Sequence, residues 1–160
     1  MVTIPAVDVP GEPFPGGASV RERGRIELPF GSGKTSPVAA ADVARVIATI
    51  LADPAPHLGQ IYELTGPRSQ DMHAVAREFA DALNRQVTYS DIAREDWERE
   101  LKRQKVPEHL CNHLVTIGEL HRTGRYDRMA DGVERVTDRP AMSVREFVLL
   151  NADKFGGRQS

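Results

Sequence analysis

Two stretches of the chain space their apolar residues in the way that an amphipathic helix requires. From residue 39 to residue 51, valine, isoleucine and leucine recur at intervals of three and four positions. The same interval returns after Ser69, which is a suitable N-cap for a second helix. The apolar residues of this second helix are Met72, Val75, Ala76, Phe79 and Leu83. Each stretch is predicted as a helix that packs one face on a core.

Three shorter stretches have the alternation or the β-branched and aromatic content of strands. They are residues 25–28, which stop at Pro29, residues 61–64, between Gly59 and Gly66, and residues 87–91. The first strand precedes the first helix, and the other two lie on either side of the second helix. This alternation predicts α/β packing.

The carboxy-terminal third is predicted to be helical. Residues 94–105 are highly charged, and Trp97 and Leu101 form the apolar edge of a solvated helix. Pro107 opens a further helix, and a last one begins at Ser143, which forms a capping box with Glu146. The chain is therefore expected to contain three short strands and about five helices.

The segment GSGKTS, residues 31–36, ends like a phosphate-binding P-loop. That motif needs a glycine five positions before Gly33, where this chain has Leu28. Pro37 follows too closely for the segment to run directly into a helix. We interpret it as a glycine-rich turn that leaves a strand.

Composition limits the class of protein. The chain has 160 residues and a formal net charge of −2, from 21 lysines and arginines and 23 aspartates and glutamates. This suits one domain and gives no general attraction to nucleic acid or acidic membranes. The single cysteine, Cys111, excludes an internal disulfide, and no signal peptide or membrane span is recognisable. We expect a cytoplasmic protein with neither a nucleic-acid nor a membrane partner.

Some polar residues could be mistaken for a functional site. His109 and His113 share one helix face, but Cys111 points elsewhere and no third ligand is in reach, so no metal site is expected. Asp42, in the first turn of its helix, is interpreted as a structural cap. The arginines near Tyr126 alternate with acids, which favours ion pairs over nucleic-acid binding.

Four segments in register resemble one known family: SPVAAADVARVIATIL, GQIYELTGPRS, VTYSDIAREDWERELKR and GRYDRMADGVERVTDRPAMSVREFV. Together they resemble the carboxy-terminal half of NmrA-like proteins, an atypical branch of the short-chain dehydrogenase/reductase superfamily. The resemblance covers about residues 24–155. It leaves residues 1–23 as an extended or mobile lead-in, rich in proline and glycine, and residues 156–160 as a tail.

The resemblance implies a partial Rossmann-like fold without the cofactor half. In that family the amino-terminal half carries the glycine-rich turn that holds the dinucleotide pyrophosphate. No glycine cluster of this chain has a strand before it and a helix directly after it, and no tyrosine is followed four residues later by lysine. We therefore expect no cofactor for this chain, no catalytic residue and no metal, although complete relatives use NAD(P).

The resemblance also suggests a function. The chain would be the substrate-side part of an NAD(P)-binding protein whose complete relatives reduce small electrophiles such as quinones or sense redox state. Phe30, Lys34 and Thr35 are the candidates for lining a substrate pocket, and a plain surface turn is the competing interpretation. A protein-interaction module that lost the cofactor half is the alternative function.

Removal of half a parallel sheet is expected to expose apolar residues, with Ile26, Leu28, Ile61 and Leu64 as candidates. The expected partner is a second copy of the chain in a homodimer, or a chain that supplies the missing half.

Replacing Lys34 by alanine should leave nucleotide binding unchanged, because the segment lacks the geometry of a phosphate cradle. Thermal unfolding of the parent chain and the variant, each with and without Mg-ATP, checks this. A melting temperature that ATP raises in the parent and not in the variant would show that the segment binds phosphate.

Overall fold

The structure, a computed structural model, describes residues 17–157. Its elements in chain order are α1 (Gly17–Arg23), β1 (Arg25–Leu28), α2 (Ala40–Ala52), α3 (Met72–Leu83), β2 (Thr88–Asp91), α4 (Arg94–Arg103), α5 (Glu108–Arg122), α6 (Gly132–Thr137) and α7 (Val144–Leu150). Single 3-10 turns follow α2 at Ala55–His57 and α7 at Ala152–Phe155. None of the helices within residues 17–157 has both the length and the apolar character that crossing a bilayer requires.

Strands β1 and β2 form a parallel pair at the centre of the larger core. Arg25 lies opposite Thr88 and Leu28 opposite Asp91, so the strands are in register over their full length. Side chains from β1, α3, α4, α5 and α7 meet around this pair, and Phe79, Phe155 and Cys111 are among the most deeply buried. The predicted α/β class is therefore confirmed.

A smaller core joins α2 to α6. Its buried members are Val38, Val46, Leu64, Val133 and Val136. Residues 60–65, which are assigned to no helix or strand, contribute Tyr62 and Leu64 to it. Two cores therefore lie in one chain, and the Phe30–Pro37 loop runs from the first to the second.

The predicted second strand, residues 61–64, is wrong for this structure. A strand is defined by its backbone hydrogen bonds to a neighbour, and within residues 17–157 these residues make none. Two strands are thus described where three were expected, and seven α-helices are described where about five were expected.

The expectation of an extended lead-in to residue 23 is also wrong where the structure describes it. Residues 17–23 form α1, because Val20 is fully buried in the larger core. Arg85 fixes the end of this helix by donating to the Val20 carbonyl over 2.6 Å. Residues 1–16 and 158–160 of the proposed lead-in and tail lie outside the described residues.

Three of the four apolar residues expected on an exposed surface are buried. Ile26, Leu28 and Leu64 have at most 6% of their surface exposed, because α1 and α3 cover β1 and the α2–α6 cluster covers Leu64. Only Ile61, at 93%, is exposed as expected.

The capping box predicted at the start of α7 is confirmed. The Ser143 hydroxyl accepts from the Glu146 amide, and the Glu146 carboxylate accepts from the Ser143 amide. Glu78, on α3, accepts from the next free amide of this helix, that of Arg145, over 2.8 Å. Helix α7 is thereby attached to α3 at its first turn.

Replacing Ser143 by alanine should lower the free energy of unfolding by about 1 kcal/mol, because it leaves an amide of the first turn without its acceptor. Urea unfolding followed by circular dichroism measures the change. Replacement by threonine, which keeps the hydroxyl, is the matched control and should recover most of the loss. Equal stability of the alanine variant and the parent would show that the cap contributes nothing.

Candidate functional site

The Phe30–Pro37 loop is fixed at its start by a polar network that joins β1, β2 and α5. The Tyr89 hydroxyl accepts from the Phe30 amide over 3.1 Å and donates to the Leu28 carbonyl over 2.9 Å. Asp91 accepts from the Gly31 amide at 3.1 Å and forms an ion pair with Arg122 at 2.6 Å. Burial and the neighbouring Asp91 carboxylate raise the pKa of Tyr89, so its hydroxyl keeps the proton that it donates.

Phe30 lies on an aromatic stack. Its ring is parallel to that of His121, with centroids 3.9 Å apart, and the tilted ring of Tyr126 has its centroid 4.5 Å from that of His121. Only 3% of His121 is exposed, and one of its ring nitrogens, Nδ1, lies 2.9 Å from the Ile117 carbonyl. Burial lowers the pKa of His121, so its ring is neutral at pH 7. Phe30 thus has a packing role and keeps part of its ring exposed.

The side chains of Lys34 and Thr35 lie in different environments, one exposed and one buried. Lys34 is exposed, and its ammonium has no hydrogen bond or ion pair with any part of the chain that the structure describes. Thr35 is 3% exposed and its backbone pairs with that of Gln70 in an antiparallel bridge. The Thr35 hydroxyl is buried without a hydrogen-bond partner within residues 17–157. The three candidate residues therefore lie on one loop, but their side chains do not meet at a common point.

The loop does not have the geometry of a phosphate cradle. Residues 34–39 continue without helical structure, and α2 begins only at Ala40. A Cβ atom on Gly33 would lie 1.8 Å from the His121 carbonyl oxygen, so this glycine is needed for contact with α5. The glycine-rich turn at residues 31–33 therefore does not lead directly into a helix, as the pyrophosphate-binding turn of a Rossmann fold does.

An open groove lies beside the far end of the loop, and we call it the Thr65 groove. Its volume is about 520 Å³ and its lining residues are Thr65, Gly66, Pro67, Met129, Ala130, Asp131, Val133, Glu134 and Ala141. Thr65 joins its two walls, because its hydroxyl donates to the Ala130 carbonyl at 2.9 Å and accepts from the Ala130 amide at 3.0 Å. Ser36 in turn donates to the Arg128 carbonyl at 2.6 Å, which connects the loop to the groove wall.

Asp42 does not cap its helix, which corrects that prediction. The N-cap of α2 is Ala39, without a side-chain bond. Asp42 is fully buried, accepts from the Met142 amide at 2.7 Å and lies 2.8 Å from the Arg45 guanidinium. Its role is structural, as expected, but it fastens a segment 100 residues away in the chain.

The other residues considered in the sequence analysis lie in the core, on the surface or in ion pairs. Cys111 is fully buried while His109 and His113 are exposed, and within residues 17–157 no group of three or more His, Cys, Asp or Glu could hold a metal ion. Trp97 and Leu101 are buried and anchor α4, as predicted. Arg128 and Arg135 form ion pairs with Glu63 and Asp131.

Sequence comparison finds relatives that include an NAD(P)H azoreductase and an uncharacterized oxidoreductase. The chain is 33% identical over 141 residues to the NAD(P)H azoreductase of Xenophilus azovorans. This match covers 86% of this chain and 48% of the azoreductase. It is 28% identical to an uncharacterized oxidoreductase of Bacillus subtilis, over 84% of this chain and 46% of that protein. The chain thus spans about half the length of the curated relatives it matches. No protein-family model matches it.

Solved structures share the fold. The NADPH-dependent quinone oxidoreductase of Escherichia coli superposes with a TM-score of 0.75 at 23% identity, over 86% of this chain and 50% of that one. The triphenylmethane reductase of Citrobacter sp. in complex with NADP(H) superposes with a TM-score of 0.72 at 19% identity. This match covers 86% of this chain and 47% of the reductase. The described fold is therefore that of the carboxy-terminal part of NAD(P)-binding, Rossmann-like reductases.

Acidification should destabilise the protein through His121. The pKa of this ring is lowered in the folded state, so the unfolded chain binds the proton more tightly. The stabilising contribution of the neutral ring is complete above the ordinary pKa, near 6.5, and is lost as the pH falls toward the folded-state pKa. Urea unfolding measured between pH 5 and pH 8 should show this loss in the parent chain.

The variant His121→Phe should lose part of that dependence, since phenylalanine can stack on Phe30 but cannot be protonated. His113→Gln, at an exposed position of the same helix, is the control and should retain it. An unchanged pH profile in His121→Phe would contradict the assignment.

Proposed function

We propose that this chain is the carboxy-terminal, substrate-side part of an NmrA-like, NAD(P)H-dependent reductase of small electrophiles such as quinones. The observation that carries the proposal is the match to the azoreductase, which extends over 86% of this chain and only 48% of that enzyme. The likeness of fold to the quinone oxidoreductase, again over about half of its chain, supports it. The cofactor-binding part is proposed to lie in the half of the azoreductase outside the match, and the chain by itself is proposed to be inactive.

The Phe30–Pro37 loop supports a substrate-side role. Its first residues are held rigidly by the Tyr89, Asp91 and Arg122 network, and rigid support is what a binding residue needs to be positioned accurately. Lys34 extends from this support with an ammonium group that the described residues leave without a partner. Reduction of a quinone places negative charge on its oxygen, and a nearby cation stabilises that charge. Lys34 is therefore proposed as the electrostatic partner of the substrate oxygen.

Phe30 would contact the substrate ring. Its ring is supported from behind by His121 and remains partly exposed, so a planar ligand can pack against it. Thr35, whose hydroxyl is buried, is proposed to shape the loop and to reach the substrate only if the loop shifts. In the complete reductase, the dinucleotide would supply the hydride, and no residue described in this chain is proposed to bind it.

A protein-interaction module is the second candidate function. The observation that favours it is a group of large apolar side chains in solvent, with Leu51 74%, Leu58 76% and Ile61 93% exposed. An interaction module and a reductase part both need a partner, but only the reductase part should recognise a small electrophile.

Amide NMR titrations of the chain distinguish these functions. Added 1,4-naphthoquinone should shift the resonances of Phe30, Lys34 and Thr35 in a saturable way, whereas NADPH should cause no saturable shift because the pyrophosphate site is missing. In Lys34→Ala the quinone should bind more weakly, and Lys154→Ala, in the 3-10 turn Ala152–Phe155, is the matched control. Quinone shifts spread evenly over the surface would reject the substrate-side proposal, and saturable NADPH binding would show that the chain holds a cofactor site after all.

A further inference from the structure

Arg125 differs from the other arginines of its stretch of chain because no carboxylate binds it. Three neighbouring arginines each form an ion pair with an acidic side chain, and they are Arg122, Arg128 and Arg135. Arg125 is exposed, and within residues 17–157 its guanidinium makes neither a hydrogen bond nor an ion pair. Its charge is therefore not used to hold the described fold together.

Arg125 and Lys34 lie on two segments that contact the same backbone carbonyl, that of His121. A Cβ atom on Gly33, the residue before Lys34, would lie 1.8 Å from this oxygen. The amide of Gly124, the residue before Arg125, donates to the same oxygen over 3.0 Å. The two exposed cations, neither of which has a partner within residues 17–157, therefore extend from neighbouring points of the surface.

Both cations adjoin the aromatic stack. The rings of Phe30 and Tyr126 have their centroids 3.9 and 4.5 Å from that of His121, and each is only partly buried. Tyr126 directly follows Arg125 in the chain. Exposed aromatic rings bind planar apolar groups, and a guanidinium binds the oxygens of a carboxylate or a similar anion. An aromatic body and an anionic substituent are thus the two features that this surface can recognise together.

The nearby acids are already engaged with other groups. Asp91 pairs with Arg122, and Asp127 accepts from the Ser69 hydroxyl. With Lys34 and Arg125, the cations beside the stack number three against these two acids, although the whole chain has a net charge of −2. A local excess of positive charge attracts an anionic ligand and opposes a cationic one.

We infer that Arg125 is a specificity-determining residue that binds an anionic substituent, a sulfonate or a carboxylate, on the aromatic electrophile. This inference rests on the proposed function, in which Phe30 contacts the ring and Lys34 faces the oxygen that gains charge. Arg125 has a separate part, because it recognises a charge that the substrate carries before reduction. The substrate class is thereby narrowed from small electrophiles to planar aromatic electrophiles with a negative charge.

Two quinones that differ in one substituent test the inference. Anthraquinone-2-sulfonate carries the anion and 2-(hydroxymethyl)anthraquinone is its neutral counterpart, so the ratio of their Kd values isolates the effect of the charge. Amide NMR titrations of the chain at low salt should show the sulfonate bound about fivefold more tightly, the upper end of what one exposed ion pair contributes. This preference should disappear in about 1 M sodium chloride, where the Debye length is about 3 Å.

Substitutions of Arg125 assign the preference to this side chain. Arg125→Gln should bring the two Kd values together, and Arg125→Lys, which keeps the positive charge, should retain most of the preference. Arg125→Glu should reverse it, so that the neutral quinone binds more tightly. Arg145→Gln is the matched control and should keep the parent ratio, because Arg145 is an exposed arginine of α7 whose guanidinium also has no partner within residues 17–157.

Several results would overturn the inference: equal Kd values in the parent chain, a preference that survives Arg125→Gln, or an equal loss in Arg125→Gln and Arg145→Gln. The last result would mean that general surface charge attracts the sulfonate. Methanesulfonate has the anion without the ring and should bind more weakly than anthraquinone-2-sulfonate. Equal binding of these two sulfonates would show that the aromatic stack contributes nothing, which would also overturn the inference.

The neutral compounds separate this inference from the proposed function. Saturable binding of 2-(hydroxymethyl)anthraquinone at Phe30 and Lys34, without a preference for the sulfonate, would keep the substrate-side proposal and reject the role of Arg125. Naphthalene-2-sulfonate has the anion and the ring but no quinone to reduce. If it binds at Arg125 while neither neutral quinone binds at Phe30, the anion site stands and the reductase proposal is rejected. Binding of none of these compounds would reject both.

Discussion

The contact between Gly33 and the last turn of α5 is the constraint on which the rest of the site depends. A Cβ atom at this position would lie 1.8 Å from the His121 carbonyl oxygen, which no side chain can tolerate. Because the loop passes so close to α5, Phe30 reaches the His121 ring and Arg122 reaches Pro29 and Asp91. Gly66 makes a similar approach to the Pro37 carbonyl at the other end of the loop. The two contacts fix the Phe30–Pro37 loop between the larger and the smaller core.

A loop fixed in this way has a rigid backbone and few free side chains. Most of its polar groups are used in structure: the Phe30 and Gly31 amides bind side chains of β2, Thr35 pairs with Gln70, and Ser36 holds the Arg128 carbonyl. Lys34 is the residue of the loop whose charged group extends away from this framework. The arrangement suits one wall of a binding site, because a wall needs a rigid support and an exposed polar group. It does not provide an enclosed pocket, since the Thr65 groove beside it is open and its two acids face solvent.

Sequence patterns predicted what depends on neighbours in the chain and missed what depends on distant contacts. The periodicity of α3, the capping box at Ser143 and the anchoring of α4 by Trp97 are local, and each is as expected, although the N-cap of α3 is Asp71 and not Ser69. The mismatch of GSGKTS with a phosphate cradle could likewise be argued from spacing alone. The stack of Phe30 on His121 joins residues 91 positions apart, and Asp42 binds an amide 100 positions away, so no local pattern signals either contact. The helix at residues 17–23 was missed because its stability comes from burial of Val20 in the core and not from its own sequence.

Residues 60–64 have a high strand propensity, yet the structure assigns them to no strand within residues 17–157. Their isoleucine, tyrosine and leucine favour extended backbone. A strand also needs a neighbour, and propensity cannot supply one. Full burial of a side chain such as that of Leu51 or Ile61 is worth about 1.5–3 kcal/mol, and both remain mostly in water.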